Sequence, residues 1–437
     1  YDILGLSLPY DKQYIKDATF NANVKEDDLT WKDYKTDKEA LNYLIKYNDN
    51  EKIKDLLDNL KYYASIQTKR NSFTKKLPLM MNKDTYTIHG NFNETGTSTS
   101  RLSSNNPNLQ NQPAHTTNVN LFDYFHPIKR SYTSRFKDGL YVMADYSSLE
   151  MRVIGLFTKD EQMLESFLNK EDIHKATASI MYKKPVSEVT KEERQNSKAI
   201  NFGLAYGETP QSFASKHEGM TVKEAEDIFN KYYETKPSVK TSIDDTHDFV
   251  QKYGYVETMN GHRRFLADAK SSDKKKRNEA LRQSFNTIIQ GGGGYFTNMA
   301  LTYIDDFIQQ KGMRSKLVAT VHDSIVVDCP PEEVKTMAKV VVGCMENLPF
   351  DFLYIDYKGE KIRYPIVADA EIGFNYNDAV EYDEEEIAKF NSYKGYVEYN
   401  LALQKISDYM ESGKLTDEQY ENAINQVEEQ KELYQQM

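Results

Sequence analysis

The chain is 437 residues long, enough for one large or two to three modest domains, and its two cysteines, Cys329 and Cys344, exclude a disulfide framework and a cysteine zinc site and favour a reducing cytosol. No signal peptide is recognisable and the longest apolar runs are far too short to cross a bilayer, so no membrane role is expected. The formal net charge of −11 argues against a polyanionic partner only on average, because residues 381–437 hold 14 acidic and 5 basic groups and leave a nearly balanced body.

From the N-terminus, residues 37–76 predict two helices, with Leu41, Leu44, Ile45, Ile53, Leu56, Leu57 and Leu60 as their apolar positions. Leu140 to Ala144 is an apolar run of strand length, and Asp145 falls where it gives way to the polar turn Tyr146-Ser147-Ser148. A carboxylate there reaches solvent from a rigid backbone. Ser147 and Glu150 have capping-box spacing for a helix that follows, and Thr190 and Glu193 have it again. With Gly207 as a stop, this second helix is predicted from about 191 to 206.

Steps of four residues advance only about 40° on a helix of 3.6 residues per turn. Arg194, Lys198, Phe202 and Tyr206 therefore form one slowly winding stripe, roughly 18 Å long. Two cations at one end suit a triphosphate, and two rings at the other suit a base and sugar. The same stripe also describes an amphipathic helix with a solvated basic end and a core-facing aromatic end. Gly203, which costs about 1 kcal/mol against alanine inside a helix, suggests close approach of something flat.

Further along, Arg282, Asn286 and Gln290 share one helical face by their spacing of four. The four glycines Gly291 to Gly294 should weaken that helix by about 2–3 kcal/mol, and they are no phosphate-binding loop because no Gly-Lys-Ser/Thr follows. Leu317 to Val321 and Ile325 to Val327 flank His322-Asp323-Ser324, which reads as a tight β-hairpin with Asp323 at its tip. If these strands pair with 140–144, Asp145 and Asp323 meet on one sheet edge. Carboxylates that close repel unless divalent cations lie between them, and Mg²⁺ takes one or two carboxylates plus waters and phosphates. Two such ions, roughly 3.5–4 Å apart, activate an attacking hydroxyl and stabilise a leaving pyrophosphate. Asp is also a favoured turn residue, which by itself accounts for either position.

Basic clusters at Lys69-Arg70, Lys75-Lys76, Arg263-Arg264 and Lys274 to Arg277 can bind phosphates or be ordinary solvated surface. Residues 381–437 read as two or three polar helices with Gly413 between them and a thin apolar stripe at Ile424, Val427 and Leu433. They either pack on the body or bind a partner protein.

In this order the segments resemble the motifs of the family A DNA polymerases, the bacterial DNA polymerase I type shared with many phages. Asp145 to Arg152 is similar to motif A, Arg194 to Gly207 to motif B, and Val321 to Ser324 to motif C. Thr97 to Ser104 with Pro107 to Asn111 looks like the primer-template segment, Asp172 to Ala178 precedes motif B, and Gly254 to Arg264 follows it. The resemblance runs from about Lys75 to Asn377. It implies an α+β right-hand polymerase with an antiparallel palm sheet, helical fingers and a shortened helical thumb, plus a helical C-terminal extension. The implied division is thumb 1–76, palm 77–154 and 276–380, fingers 155–275, and acidic extension 381–437.

By the same resemblance, Asp145 and Asp323 hold two Mg²⁺ ions with the Tyr146 carbonyl as a further ligand. His174, Arg194 and Lys198 bind the incoming triphosphate, and Lys198 is the candidate general acid. Glu150, with Tyr206, excludes a ribose 2′-hydroxyl, and Phe202 stands where phenylalanine is associated with rejection of dideoxynucleotides. Arg101, Asn108, Gln110, Arg282, Asn286, Gln290 and His322 match positions that line the template-primer, chiefly its minor groove, whose acceptors suit guanidinium and amide groups. The implied activity is DNA-templated addition of deoxynucleoside monophosphates to a primer 3′-hydroxyl, with primed DNA and dNTPs as partners, in the cytoplasm of a bacterial host if the chain is phage-encoded. A single-subunit RNA polymerase and an inert template-primer-binding scaffold are the alternatives, the first opposed by Glu150. Ser324 departs from the glutamate usual in motif C, and Ser100 from the glycine usual before the primer-segment arginine. Only about 100 residues precede Arg101, too few for a proofreading exonuclease, so a separate exonuclease or processivity partner is expected.

Overall fold

The computed structural model describes residues 38–46, 48–113, 127–205, 208–216 and 220–437. They fall into two units, one up to His89 and one from Gly90 onward. In the first, the two predicted helices form as α1 (Lys38–Lys46) and α2 (Glu51–Lys69), the second capped by Asn50, whose side chain accepts from the Lys52 amide. Leu41, Leu44 and Leu57 bury together, with Ile45 and Ile53 against them. Leu56 and Leu60, expected in the same core, are 41% and 45% exposed. The reason is length: α1 offers 9 residues against the 19 of α2 and covers only a narrow strip of it.

The second unit opens on a short antiparallel ladder, β1 (Asn91–Asn93) with β2 (Ser103–Asn105), which frames the segment carrying Arg101. Its centre is a five-stranded antiparallel sheet with β3 (Leu140–Tyr146) as the middle strand. A separate hairpin, β4 (Tyr255–Glu257) with β5 (Arg263–Phe265), lies outside that sheet. The predicted hairpin forms as β6 (Lys316–Val321) and β7 (Ser324–Cys329). After another small hairpin, β8 (Tyr354–Tyr357) with β9 (Glu360–Arg363), the strands β10 (Ala368–Gly373) and β11 (Ala379–Glu381) complete the sheet in the order β11-β10-β3-β7-β6. Side chains alternate along each strand. Leu140, Val142 and Ala144 of β3, Ile325 and Val327 of β7, and Ala368, Ala370 and Ile372 of β10 join the main core. Tyr141, Met143 and Val326 form a smaller cluster on the other face, which turns polar at Asp145.

Between β3 and the hairpins run α3 (Leu149–Thr158), α4 (Glu161–Leu168), α5 (Ile173–Tyr182), α6 (Lys191–Ala205), α7 (Pro210–Lys216), α8 (Val222–Thr235) and α9 (Pro237–Tyr253). The capping box predicted for α6 is present: the Thr190 amide donates to Glu193 Oε2 at 2.9 Å and the Glu193 amide to Thr190 Oγ1 at 3.2 Å. The one predicted from Ser147 and Glu150 is not. α3 starts after Ser148, whose backbone is left-handed (φ 53°), and Glu150 turns inward to accept from Arg101 instead.

Helix α10 (Lys274–Lys311) stays continuous through its four glycines, and α11 (Val334–Glu346) packs beside it against the inner face of the sheet. Close approach explains the missing side chains. A Cβ on Gly291 would lie 2.8 Å from Thr258 Cγ2, and one on Gly294 would lie 3.0 Å from the Thr99 carbonyl oxygen and 3.2 Å from the Arg101 backbone nitrogen. The β4–β5 turn and the Arg101 segment thus rest directly on the helix backbone.

The acidic C-terminal stretch forms α12 (Tyr393–Glu411), α13 (Asp417–Glu429) and α14 (Lys431–Gln436), with Gly413 left-handed (φ 68°) between the first two. It packs on the rest of its unit. The Tyr396 hydroxyl donates to the Glu381 carbonyl at 2.7 Å, and Phe390, Tyr396, Val397 and Tyr399 are buried. Leu433, from the expected apolar stripe, stays 66% exposed. No described helix is long and apolar enough to cross a membrane.

Candidate active site

The sheet register brings the two aspartates together. Asp145 pairs with Ser324 across β3 and β7, and Val321 pairs with Ser324 across β6 and β7, leaving His322 and Asp323 as a two-residue turn. His322 takes the left-handed backbone (φ 56°) that such a turn needs, and Ser324 Oγ closes it by donating to the Val321 carbonyl at 2.9 Å. The serine in motif C is therefore a turn-closing residue here. Asp145 opens onto a cavity of about 480 Å³ lined also by Lys129, Asp369, Glu371, Tyr376 and Gln404. Desolvation pushes its pKa up to about 6, reinforced by the negative charge of Asp323 and then of Glu371 and Asp369, against the opposing hydrogen bond from the Tyr146 amide.

Sequence reasoning missed Asp369 and Glu371. Their signal was available, because acids two residues apart in a strand share a face, and Asp369 stands directly opposite Asp145 in the β10–β3 ladder. Gln404, on α12, had no such signal.

Arg101 bridges the site from below. Its Nη2 donates to Asp323 Oδ1 at 2.8 Å and to Glu150 Oε1 at 3.0 Å, and Glu150 is only 5% exposed. Tyr146 is buried too, its hydroxyl donating to the Met345 carbonyl at 3.1 Å, while its own carbonyl lies in the strand beside Asp145.

Helices α5 and α6 hold the predicted phosphate-binding groups. Asp172 caps α5, its Oδ1 accepting from the His174 and Lys175 amides, and its Oδ2 takes Arg194 Nε at 2.6 Å. This positioning role for Asp172 was not read from sequence. His174 is 5% exposed, with Nδ1 3.0 Å from the Asn201 side-chain amide nitrogen and its ring centroid 5.7 Å from that of Phe202. Burial lowers its pKa to about 4, helped by Arg194 and Lys198 and opposed by Asp172. The ring is thus neutral at pH 7, with Nδ1 facing the Asn201 amide. Lys198 is half-buried one turn on from Arg194. Gly203 is closely approached by Glu208, whose Oε2 would lie 2.6 Å from an added Cβ. Tyr206 lies outside the described residues.

On α10 Arg282 is exposed, while Asn286 and Gln290 are part-buried and the Asn286 Oδ1 is enclosed without a hydrogen-bond partner. Asn108 and Gln110 are already engaged. Asn108 Oδ1 accepts from the Gln110 and Asn111 amides, and Gln110 Nε2 donates to the Leu102 and Thr320 carbonyls at 3.0 and 3.1 Å, tying this segment to β6. The Asn108 side-chain nitrogen and the Gln110 side-chain oxygen are left to meet another molecule.

The donor set suits hard divalent cations: one carboxylate from β3 and one from the β6–β7 turn, a main-chain carbonyl, and a like charge that helps burial raise the pKa of Asp145. Among the described residues no group of three or more His, Cys, Asp or Glu is placed to hold a metal ion by itself.

Residues 12–378 match DNA polymerase family A. The DNA polymerase of Bacillus phage SP01 is 38% identical over 353 residues, covering 80% of this chain and 38% of that protein. DNA polymerase I of Bacillus subtilis (strain 168) is 32% identical over 293 residues, 67% of this chain and 32% of its own length. The chain thus spans less than two fifths of these curated relatives. Among solved structures, the POL domain of Pol1 from M. smegmatis, in complex with DNA primer-template and dNTP, matches with a TM-score of 0.69 at 26% identity, over 87% of this chain and 63% of that one. The α+β architecture with its antiparallel sheet agrees with that polymerase domain, and the chain belongs to DNA polymerase family A.

Proposed function

We propose that the chain is the catalytic part of a DNA-templated DNA polymerase that joins deoxynucleoside monophosphates to a primer 3′-hydroxyl. The observation that carries this reading is the convergence of Asp145, at the end of β3, and Asp323, in the β6–β7 turn, within one unit that also holds the Arg194–Lys198 stripe of α6. Two Mg²⁺ ions, held by Asp145, Asp323 and the Tyr146 carbonyl, would supply the charge that activates the primer hydroxyl and stabilises the departing pyrophosphate. Arg194, steadied by Asp172, and Lys198 neutralise the triphosphate, and Lys198 delivers a proton to the leaving oxygen. His174, neutral at pH 7, meets the triphosphate as a hydrogen-bonding group rather than a charge. Glu150, fixed by Arg101, and Tyr206 crowd a ribose 2′-hydroxyl.

Arg101, Arg282, Asn286, Gln290 and His322 face the template-primer, while Asn108 and Gln110 chiefly shape the loop. On this reading residues 1–76 are thumb, 77–154 and 276–380 palm, and 155–275 fingers. Residues 381–437 are an appendage to the palm, the setting is the cytoplasm, that of a bacterial host if the chain is phage-encoded, and a separate exonuclease or processivity factor is an eligible partner. Primer extension on one primed template with Mg²⁺, comparing dNTPs with NTPs, tests the proposal. Extension with dNTPs and its loss in Asp145→Ala are expected. NTP preference would favour an RNA polymerase, and unchanged extension in the variant would show an inert scaffold. Phe202 predicts poor dideoxynucleotide incorporation, which efficient termination at equal nucleotide concentrations would refute.

A further inference from the structure

The β4–β5 hairpin and the end of α9 carry a patch that the catalytic reading leaves unused. Strand alternation splits the hairpin into two faces. Val256, 1% exposed, and Arg264 face inward, and the Arg264 guanidinium donates to Thr287 Oγ1 at 2.7 Å and Gln283 Oε1 at 2.8 Å on α10. Tyr255 and Phe265, directly opposed in the ladder, lie on the other face with ring centroids 5.8 Å apart. Phe249 and Tyr253 of α9 continue the array, with Phe249 4.6 Å from Tyr253 and 5.4 Å from Tyr255. A buried aromatic cluster would be ordinary core. Here Phe265 is 77% exposed, Tyr253 50% and Phe249 38%.

Charge separates this patch from the rest of the chain. Residues 249–277 contain eight Lys and Arg against three Asp and Glu, in a sequence whose net charge is −11. Arg263 lies over the Tyr255 ring at 4.9 Å, while its Nε is held by Glu257 at 2.6 Å, and Lys252 lies over Tyr253 at 5.1 Å. The basic run Lys274 to Arg277 begins α10. Position along α10 supplies the last link: Gln283, which with Thr287 anchors the hairpin, follows by one residue the exposed Arg282. The hairpin therefore flanks the very face of α10 that reads the template-primer.

We propose that this patch is a stacking platform for unpaired template strand ahead of the active site, its exposed rings meeting bases and its lysines meeting phosphates. Exposed rings interleaved with cations are what a single strand needs, since every base has a π-face and every linkage a charge. The assignment to template strand rests on the polymerase reading; the affinity for unpaired DNA does not.

The test is fluorescence anisotropy of the full chain, without dNTP, on labelled primer-templates whose 5′ template overhang is one nucleotide or twelve. Tighter binding of the long overhang is expected, about tenfold for each base stacked. Tyr253→Ala with Phe265→Ala should abolish that gain while leaving affinity for the one-nucleotide overhang, and extension across it, unchanged. Lys274→Ala with Lys275→Ala should lower the salt dependence of the long-overhang complex by about one to two in the log–log slope. Equal affinity for the two overhangs, or a gain that survives the aromatic substitutions, overturns the proposal and leaves the surface to a protein partner. Primer extension without the overhang effect would sink the platform alone, and the overhang effect without extension would sink the polymerase reading alone.

Discussion

Arg101 holds Asp323: its Nη2 lies 2.8 Å from the aspartate Oδ1, and the same nitrogen also serves Glu150. One guanidinium thus ties an acid proposed for metal binding to the acid proposed to sort sugars. Both partners are largely shielded, with side chains 18% and 6% exposed. Arg101→Ala removes the guanidinium that faces both shielded carboxylates and should lower stability by about 3 kcal/mol, read by chemical denaturation. The double variant Arg101→Leu with Glu150→Leu should lose less than the two single losses combined.

Asp145 should be a stability burden at neutral pH. Its folded pKa of about 6 lies above the ordinary 3.8, so the native state binds the proton more tightly and is favoured as pH falls through that window. Above pH 6 the ionised carboxylate opposes its neighbours. Asp145→Asn should therefore melt at a higher temperature than the parent at pH 7.5, while extension falls by about 10²–10³-fold or more. Mg²⁺ should raise the parent's melting temperature and have a smaller effect on the variant. A variant less stable than the parent would contradict the electrostatic account.

His174 has the opposite sign. Its folded pKa of about 4 lies below the ordinary 6.5, so its contribution is complete above pH 6.5 and is lost as pH falls towards 4. Between pH 7 and pH 5 the loss should be about 2 kcal/mol. His174→Gln should flatten this part of the pH–stability curve. Comparing parent and variant at each pH cancels the opposing slope from Asp145.

Gly294 and Gly343 are both helical glycines, yet alanine should act oppositely at the two. Around Gly343 an added Cβ meets nothing within 4 Å, so Gly343→Ala should stabilise by about 0.5–1 kcal/mol through helix propensity. At Gly294 the same methyl meets the Thr99 carbonyl and the Arg101 backbone. Gly294→Ala should cost about 1–3 kcal/mol and weaken primer-template binding as Arg101 is displaced.

Much of the site could be read from the sequence because its signals are local. Strand length and a polar turn placed Asp145, the two flanking apolar runs placed Asp323 in a hairpin, and capping-box spacing placed the start of α6. Ser147 and Glu150 show where local rules stop: the spacing was right, but a guanidinium 49 residues earlier in sequence outcompetes a backbone amide for the Glu150 carboxylate. The glycine run failed for the same reason in reverse. Propensity scored it as weakness, whereas its purpose lies in segments far away in sequence that need room. Asp172, Asn201 and Gln110 act through such non-local partners too, and spacing alone carries no trace of them.

Gln404 borders the same cavity as Asp145 although it belongs to a helix beyond the residues matched to the family. The lining of that cavity is therefore built jointly from residues inside and outside the matched stretch. Variation in the appendage, including a fusion partner attached there, has a short physical route to the chemistry, and a chain trimmed to the family boundary would present its substrates with a differently walled chamber.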